Sequence, residues 1–492
     1  MGLSTPFFSA FGPLLFGRRR LSEIDKLLGQ TSTFRSLSQY QEAFGEFIPQ
    51  ALFARQKRGV NSRTRIFTSL IIFWAFLAQV LERGSSCRDA LRRIIAWSRQ
   101  EHPQAPAPSP DTGGYCQARA RLKTQTIEQI GTHLAERLQR QVPAAELWQG
   151  RRVKIVDGTT ASMPDTAENQ EAWPQPRSQQ PGCGFPLVKL VGLFDLASGA
   201  LTHLNEGHHR IHERVLARGL WRHLEPGEVL LGDRGFCSYQ DLCEIAERGA
   251  DAVLRLHRTR KLDLAGAERL GPNDWRMTWT KPAQGPKGCP PESWAALPET
   301  LTVRIVRYRV ETPGYRSEEV TLVTTLLDPV AFPAPALAEL YCRRWSVELH
   351  FREIKTLLGL DILRCLTPEM VRKEIALQRV AYNLVRVLMQ RAALVHQISL
   401  RRLSFKGTLD TLATFADAIQ SLAGKPRRQR ALLEDLLLTI AKDLLPVRPG
   451  RVEPRARKRR QKNYHLLTKP RRQMHVPNHR NRPRKSSQND AN

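Results

Sequence analysis

The sequence predicts a mixed α/β sheet domain carrying a β-rich insertion and flanked by helical N- and C-terminal regions. Three observations carry this. Apolar residues recur at three- and four-residue spacing before residue 150 and again after residue 335. Between these stretches, short β-rich runs alternate with helical segments, the pattern of a mixed sheet. Within that middle part, residues 258–335 become rich in Pro and Gly around two clear strands.

The elements follow in order. Arg65 to Leu81 and Ser86 to Trp97 have helical periodicity, and His102 to Gly114, with four prolines, reads as a loop. Tyr115 opens a helix that runs towards Gln141, and Arg119 and Arg121 sit near its start. A helix start presents free N–H groups and a positive dipole end, so these two are candidate phosphate contacts. Val153 to Val156 is a strand ending at Asp157-Gly158, Leu187 to Leu196 is a longer one, and a turn at Ala197–Ala200 leads to a third near Leu204. His212 to His223 reads as helix, Glu228 to Gly232 as a strand ending at Asp233, Ser238 to Arg248 as helix and Asp251 to His257 as strand. The insertion holds Trp275, Trp279 and Trp294 and the strands Thr300–Val310 and Glu318–Leu326; helix then runs with interruptions from Pro335 to about Leu445. The expected organisation is a helical region over 1–150, the sheet domain over 151–370 with its insertion at 258–335, and a helical region over 371–447. A tail follows over 448–492, where fifteen Lys and Arg face two acids, a basic disordered composition.

Composition narrows the function classes. The chain has 492 residues, 41% of them hydrophobic, enough for real cores and too long for one ordinary domain. The net charge of +29 repels itself in a compact state and implies a polyanionic partner, nucleic acid first and an anionic membrane surface second. The eight cysteines are scattered with no Cys-x-x-Cys pair, which argues against a zinc ribbon or a disulfide framework and for reduced, mostly buried thiols. Pro6 and Pro13 followed by Arg18–Arg20 argue against a signal peptide. Ile66 to Leu81 is shorter than the roughly 20 residues a bilayer needs, so it is expected to be a buried core helix.

Asp157 and Asp233 each end an apolar strand and are followed closely by glycine. Strand ends that open at one edge of an α/β sheet are where ligands gather. Two carboxylates there, joined by a third, would hold two divalent ions about 4 Å apart, the arrangement used for in-line attack on phosphodiesters. Magnesium prefers such oxygen-only, partly hydrated coordination. The alternative for either Asp alone is that it caps a turn. The third element is Tyr341 to Lys355. On an ideal helical wheel Tyr341, Arg344, Glu348, Arg352 and Lys355 share one polar stripe, with Val347 and Ile354 off it and Glu353 pointing about 140° away from Glu348. A solvated face with (i, i+4) pairs explains Glu348 beside Arg344 and Arg352, but not Tyr341 or the register to Lys355.

This stripe resembles the Tyr-(2)-Arg-(3)-Glu-(6)-Lys signature of bacterial insertion-sequence transposases of the insertion element 4 family, with the spacing correct throughout. Asp157 in Val156-Asp-Gly-Thr-Thr160 and Asp233 in Leu231-Gly-Asp-Arg-Gly-Phe236 resemble that family's two aspartate blocks, and the resemblance spans roughly residues 60 to 395. It implies an RNase H-like catalytic domain, with Asp157, Asp233 and Glu348 as catalytic and metal-holding residues for two Mg²⁺, with Mn²⁺ able to substitute. It also implies hydrolysis at a transposon end, a hairpin intermediate and strand transfer to target DNA. Tyr341 and Arg344 would grip the phosphate near a flipped base, and Arg352 and Lys355 would contact DNA, with Arg119 and Arg121 as further DNA-binding candidates. One departure stands out: the neighbourhood Glu319 to Val323 lacks the tryptophan that well-known members place before the last strand of the insertion. Trp275, Trp279 or Trp294 could substitute, and each could equally be core.

His208-His209-x-x-His212 is better read as a polar helix start than as a zinc site, and Glu213 would lie on a helix between the two aspartate strands, near the site. Two rivals stay open: an RNase H-like nuclease or resolvase that cuts without joining, and a non-catalytic DNA-binding derivative of a transposase. The expected partners are double-stranded DNA, as terminal inverted repeats and target, and a second copy of the chain when bound to it, with no membrane. The expected location is the cytoplasm, with the nucleoid, and binding should be salt-sensitive through counterion release.

Overall fold

The computed structural model describes residues 66–446 apart from 102–103, 105–107, 258–259, 287–288, 311–317 and 422–424, with a few isolated positions beyond that span. Those positions aside, the first 65 residues and the basic tail expected over 448–492 lie outside the described residues.

Helix α1 (Ser69–Leu81) is capped by Thr68, whose hydroxyl accepts from Ile71 N at 3.3 Å, and it is buried on nearly every side. An apolar helix with no polar face belongs in a core. Among the described residues no helix is long and apolar enough to cross a membrane. Helix α2 (Cys87–Glu101) opens with a reciprocal cap: Ser86 N donates to the Asp89 carboxylate at 2.9 Å while Asp89 N donates to the Ser86 hydroxyl at 3.2 Å. The single helix expected from Tyr115 to Gln141 is two, α3 (Gly113–Arg121) and α4 (Thr124–Arg140), because Leu122 and Lys123 turn extended and Leu122 is thereby buried.

Strand β1 (Val153–Ser162) is longer than expected and carries Asp157 in its middle, because it pairs with β2 through Ser162↔Leu187. Then come α5 (Ala167–Ala172), β2 (Leu187–Asp195), β3 (Leu201–His208), α6 (Glu213–Trp221), β4 (Val229–Gly232), α7 (Tyr239–Glu247) and β5 (Asp251–Arg255). The insertion supplies β6 (Glu268–Gly271), β7 (Asp274–Thr280), α8 (Pro291–Ala295), β8 (Thr300–Val310) and β9 (Glu318–Thr324). Helices α9 (Ala334–Cys342), α10 (Ser346–Arg352), α11 (Pro368–Val395), α12 (Phe405–Ser421) and α13 (Pro426–Lys442) complete the described chain.

The nine strands among the described residues form one sheet in the order β3-β2-β1-β4-β5-β9-β8-β7-β6. The first three are antiparallel neighbours, and β1, β4 and β5 run parallel. That order and those directions are the RNase H-like arrangement. The insertion is not a separate β unit: β9 pairs antiparallel with β5, so the insertion's strands extend the catalytic sheet.

The sheet is covered on both faces, which explains why β1, β4 and β5 read as continuous apolar runs. Val153, Ile155, Val229, Leu231 and Val253 enter one core, and Val156, Leu230, Ala252 and Leu254 the other. The first core is roofed by α1, α4 and the 28-residue α11. Polar side chains of α11 grip the β2–β3 turn. Asn383 accepts from Leu201 N and donates to Leu201 O, both at 3.0 Å, and Arg386 donates to Ser198 O at 2.7 Å. Gly199 in this turn has φ +68, and a Cβ there would lie 2.2 Å from the Arg386 guanidinium. The eight cysteines are all free; Cys237, Cys243 and Cys365 are buried, Cys342 is exposed and the rest are half-buried, so burial is less general than expected.

Candidate active site

The parallel pairing of β1 with β4 runs to Ile155↔Leu231. Two residues beyond that last pair lie Asp157, still within β1 and on the face of Ile155, and Asp233, just past the end of β4. The alternation that puts Ile155 into the first core aims the Asp157 carboxylate to that same face, where β1 and β4 cease to pair, and Asp233 follows directly at the carboxyl end of β4. Each is oriented by a following glycine. The Asp157 carboxylate accepts from Gly158 N at 2.8 Å, and that of Asp233 from Gly235 N at 2.7 Å as it caps the 3-10 turn Arg234–Phe236. The turn-capping role weighed from the sequence is therefore real for Asp233. It uses one oxygen of that carboxylate.

The electrostatics around Asp157 are those of a crowded acidic site. Burial pushes its carboxyl up to about 6; the Gly158 N–H and the Arg344 guanidinium oppose the rise, and the neighbouring Asp233 and Glu213 charges add to it. Such a site favours a cation.

The helical segment bearing the third acid is not wound evenly. A 3-10 turn, Arg343–Trp345, separates α9 from α10, and a π turn, Glu353–Leu357, follows α10. The single stripe drawn with 100° per residue therefore divides. Tyr341 and Arg344 are buried, Glu348 and Arg352 are exposed, and Lys355 lies half-buried in the π turn. Val347 and Ile354 face the core as expected, and Glu353 faces His350 at 3.6 Å. Helix α10 packs against β1, and the chain beyond it is tied to the far end of the same strand. Ser162 N donates to Asp361 O at 3.1 Å and Leu363 N to Ser162 O at 2.8 Å.

Arg344 joins these parts. Its guanidinium lies 3.6 Å from the Glu348 carboxylate, and its centre is 5.8 Å from the Tyr341 ring and 5.3 Å from the Trp345 ring. It also acts on Asp157, and it opposes the rise that burial imposes on the Tyr341 phenol. Among the described residues no three Asp, Glu, His or Cys side chains are drawn tightly enough together to enclose an ion, so Asp157, Asp233 and Glu348 are not closed about one point. The donor set itself, carboxylate oxygens on one strand, just past the end of its parallel neighbour and on an adjoining helix, suits a hard divalent cation.

Other expectations fare differently. Arg119 and Arg121 stand in the last turn of α3, not near a helix start, so the dipole argument for phosphate binding does not hold there. Arg119 is engaged internally, 3.3 Å from the Gln79 side chain and over the Phe76 ring at 4.5 Å. His212 caps α6, its ring accepting from Arg214 N at 3.3 Å, in keeping with a polar helix start. Trp279 is buried with the Arg260 guanidinium 3.5 Å from its ring centre, and Trp275 and Trp294 are half-buried. The aromatic that sequence reasoning missed is Trp345. It is 53% exposed, beside Arg344 and one turn before Glu348, and its only signal was its place inside the Tyr341–Lys355 segment.

The chain is similar to known proteins. The family described as Transposase DDE domain matches residues 148–384. Transposase InsG for insertion sequence element IS4, from Escherichia coli (strain K12), is 26% identical over 447 residues, covering 90% of this chain and 97% of its own. The cryo-EM structure of the piggyBac transposase synaptic complex with hairpin DNA is similar with a TM-score of 0.41 at 12% identity, over 90% of this chain and 86% of that one.

Proposed function

We propose, from the premise that the chain belongs to the DDE transposases of the insertion element 4 family, that it moves an insertion sequence by cutting DNA at the element's ends and joining them to a target. The observation that carries this is Asp157, where β1 and β4 part, beside Asp233, just past the end of β4 and near enough for its charge to act on Asp157, with α10 packed against β1 next to them. Asp157, Asp233 and Glu348 would hold two divalent ions, magnesium with manganese able to substitute, which supply Lewis-acid polarisation of the phosphodiester and its attacking hydroxyl.

The chain's own residues position the DNA. Arg344 offers a forked donor to a phosphate, and Tyr341 packs beside it. Arg352 and Lys355 continue the contact along the backbone, Arg352 from an exposed position. In the first step water attacks phosphorus at the element's end and the 3′ oxygen leaves as a free hydroxyl. That hydroxyl then attacks the opposite strand, forming a new phosphodiester and a hairpin while the flanking DNA departs. Hydrolysis of the hairpin regenerates the 3′-OH, which attacks target DNA. Acting on two ends together requires two copies of the chain bridged by DNA.

A hairpin demands a tightly bent strand, and unstacking one nucleotide costs a few kcal/mol that an aromatic surface offsets. Trp345 supplies that surface. Trp345→Ala is expected to leave end binding intact and slow hairpin formation about tenfold or more. Fluorescence of 2-aminopurine at the unpaired position reports it; an unchanged signal with an unchanged hairpin rate would pass the role to another aromatic.

The function itself is tested with a labelled element-end duplex and magnesium. Hairpin followed by joined product is the expected outcome. Cutting without any joined product would favour a nuclease or resolvase, and binding with neither would favour a non-catalytic derivative.

A further inference from the structure

We infer that the loop 174–186 and the turn 208–212 form a docking surface for target DNA, gripping its phosphates with Arg177, Lys189 and Arg210, an assignment that rests on the function proposed above. The loop returns the chain into β2 and the turn leaves β3. Since β1, β3 and β4 run the same way, both segments stand at the edge of the sheet where Asp233 lies. Lys189 is paired with Thr160, three residues past Asp157, or about 10 Å along the sheet. The surface is built in advance. The Gln175 amide donates to Gln179 O and Gln180 O at 3.1 and 2.8 Å and accepts from Gly182 N and Gly184 N at 3.0 and 3.2 Å, so the loop is tied around one side chain. Lys189 Nζ donates to Ile211 O at 2.7 Å, which fastens the turn to β2 and leaves the ammonium charge unneutralised.

The charge of this surface is unopposed. Arg177 and Arg210 are exposed, and with Lys189 they have no carboxylate partner among the described residues. Burial and the Arg210 and Arg177 charges hold the His208 imidazole below its ordinary value, and no acid counters them. Glu213, which follows the turn, is directed at β1, where a Cβ at residue 158 would lie 2.7 Å from its carboxyl carbon. The basic tail reaches the same loop. A Cβ at Gly182 would lie 3.2 Å from the Pro470 ring, and the chain there reads Lys469-Pro470-Arg471-Arg472. Cations gathered without acids repel one another, and a phosphate backbone relieves that. The faces of the sheet choose which DNA. Val347, Phe351 and Ile354 seat α10 on the first core, and a Cβ at Gly192, opposite Asp157, would lie 3.1 Å from the Phe351 ring. Val188 and Leu190 also enter that core, so Lys189 between them projects from the other face, with Val191. The element's end, held by α10, thus meets the acids from one face. The cations beyond the other face suit a second duplex crossing the same edge, which is the target.

The test uses the full-length protein loaded with a pre-cleaved element end, a labelled target duplex whose binding is followed by fluorescence anisotropy, and parallel assays of joining and of end cleavage. The double variant Arg177→Ala, Arg210→Ala is expected to weaken target binding and joining about tenfold or more, and to lower the salt slope of target binding by about two. End cleavage and the unfolding temperature should stay as in wild type. The pair Arg177→Lys, Arg210→Lys should keep most of the target affinity, which separates a contact with phosphate charge from damage to the loop. Target binding and joining unchanged in the alanine variant would overturn the inference and leave a solvated cationic surface. End cleavage falling in step with joining would assign the surface to the element's end or its flank, and overturn the target assignment while the proposed function stands. A wild type that neither cuts nor joins would overturn the proposed function, and this inference with it.

Discussion

Asp157→Asn is expected to reduce strand cleavage by about a thousandfold or more, equivalent to roughly 4 kcal/mol of barrier, while making the metal-free protein more stable at neutral pH. The two effects share one cause. Burial raises the Asp157 carboxyl from 3.8 to about 6, so the folded state resists its ionisation. For an acid raised on folding, the penalty is absent below the unfolded value and grows as pH rises through the window between the two, to its full size above about 6. Asparagine carries no charge and escapes it. The variant should gain about 3 kcal/mol at pH 8, show no gain near pH 3.5, and lose its advantage when Mg²⁺ is added, because an ion bound only to the folded wild type stabilises it by mass action. Urea unfolding at the two pH values, with and without Mg²⁺, measures this; single-turnover cleavage measures the rate. Glu348→Ala should lose cleavage to a similar degree with DNA affinity unchanged. Wild-type cleavage by Glu348→Ala would reduce that residue to a helix-face charge and end the three-acid assignment.

What the sequence made legible follows from where the signal is local. Strands β1, β4 and β5 are buried on both faces, so their apolar runs announce them without context. The strand Thr300–Val310 matches expectation to the residue. The hairpin strands β6 and β7 escaped notice, because Glu-Arg-Leu-Gly at 268–271 has no alternation to read. The extent of β1 was also hidden: Thr159 to Ser162 become strand through pairing with β2, a tertiary choice. The break between α3 and α4 lacks a glycine or proline and exists because Leu122 turns into the core. At the site the motif residues were visible but their exposure was not. A wheel of constant pitch assumes an ideal helix, and the 3-10 and π turns on either side of α10 rotate Arg344 inward relative to Glu348 and leave Trp345 in solvent. Glu213 could be placed near the site from its order between the two aspartate strands. Its contact with Gly158 could not.

Arg344→Ala should be the most damaging change outside the acids, slowing cleavage and hairpin formation by about 10²–10³ at saturating metal. Three relations converge on this guanidinium, which is only 9% exposed: the 3.6 Å approach to Glu348, the rings of Tyr341 and Trp345, and its field on Asp157. A positive charge in that position favours the ionised form of Asp157, so its removal should push the carboxyl higher still and move the acid limb of the rate–pH profile upward. Arg344→Lys keeps the charge but not the plane. An ammonium is a single point on a flexible stem and cannot pair with a carboxylate, stack between two aromatic rings and present a second edge to a phosphate at once. The lysine variant is therefore expected to restore the position of the acid limb while recovering little of the rate. If lysine restores both, Arg344 acts through charge alone and the phosphate grip belongs to Tyr341 and Lys355. If it restores neither, the arginine's chief task is to hold Glu348 and Trp345 in place, and the Trp345→Ala and Glu348→Ala variants should then each account for part of the loss.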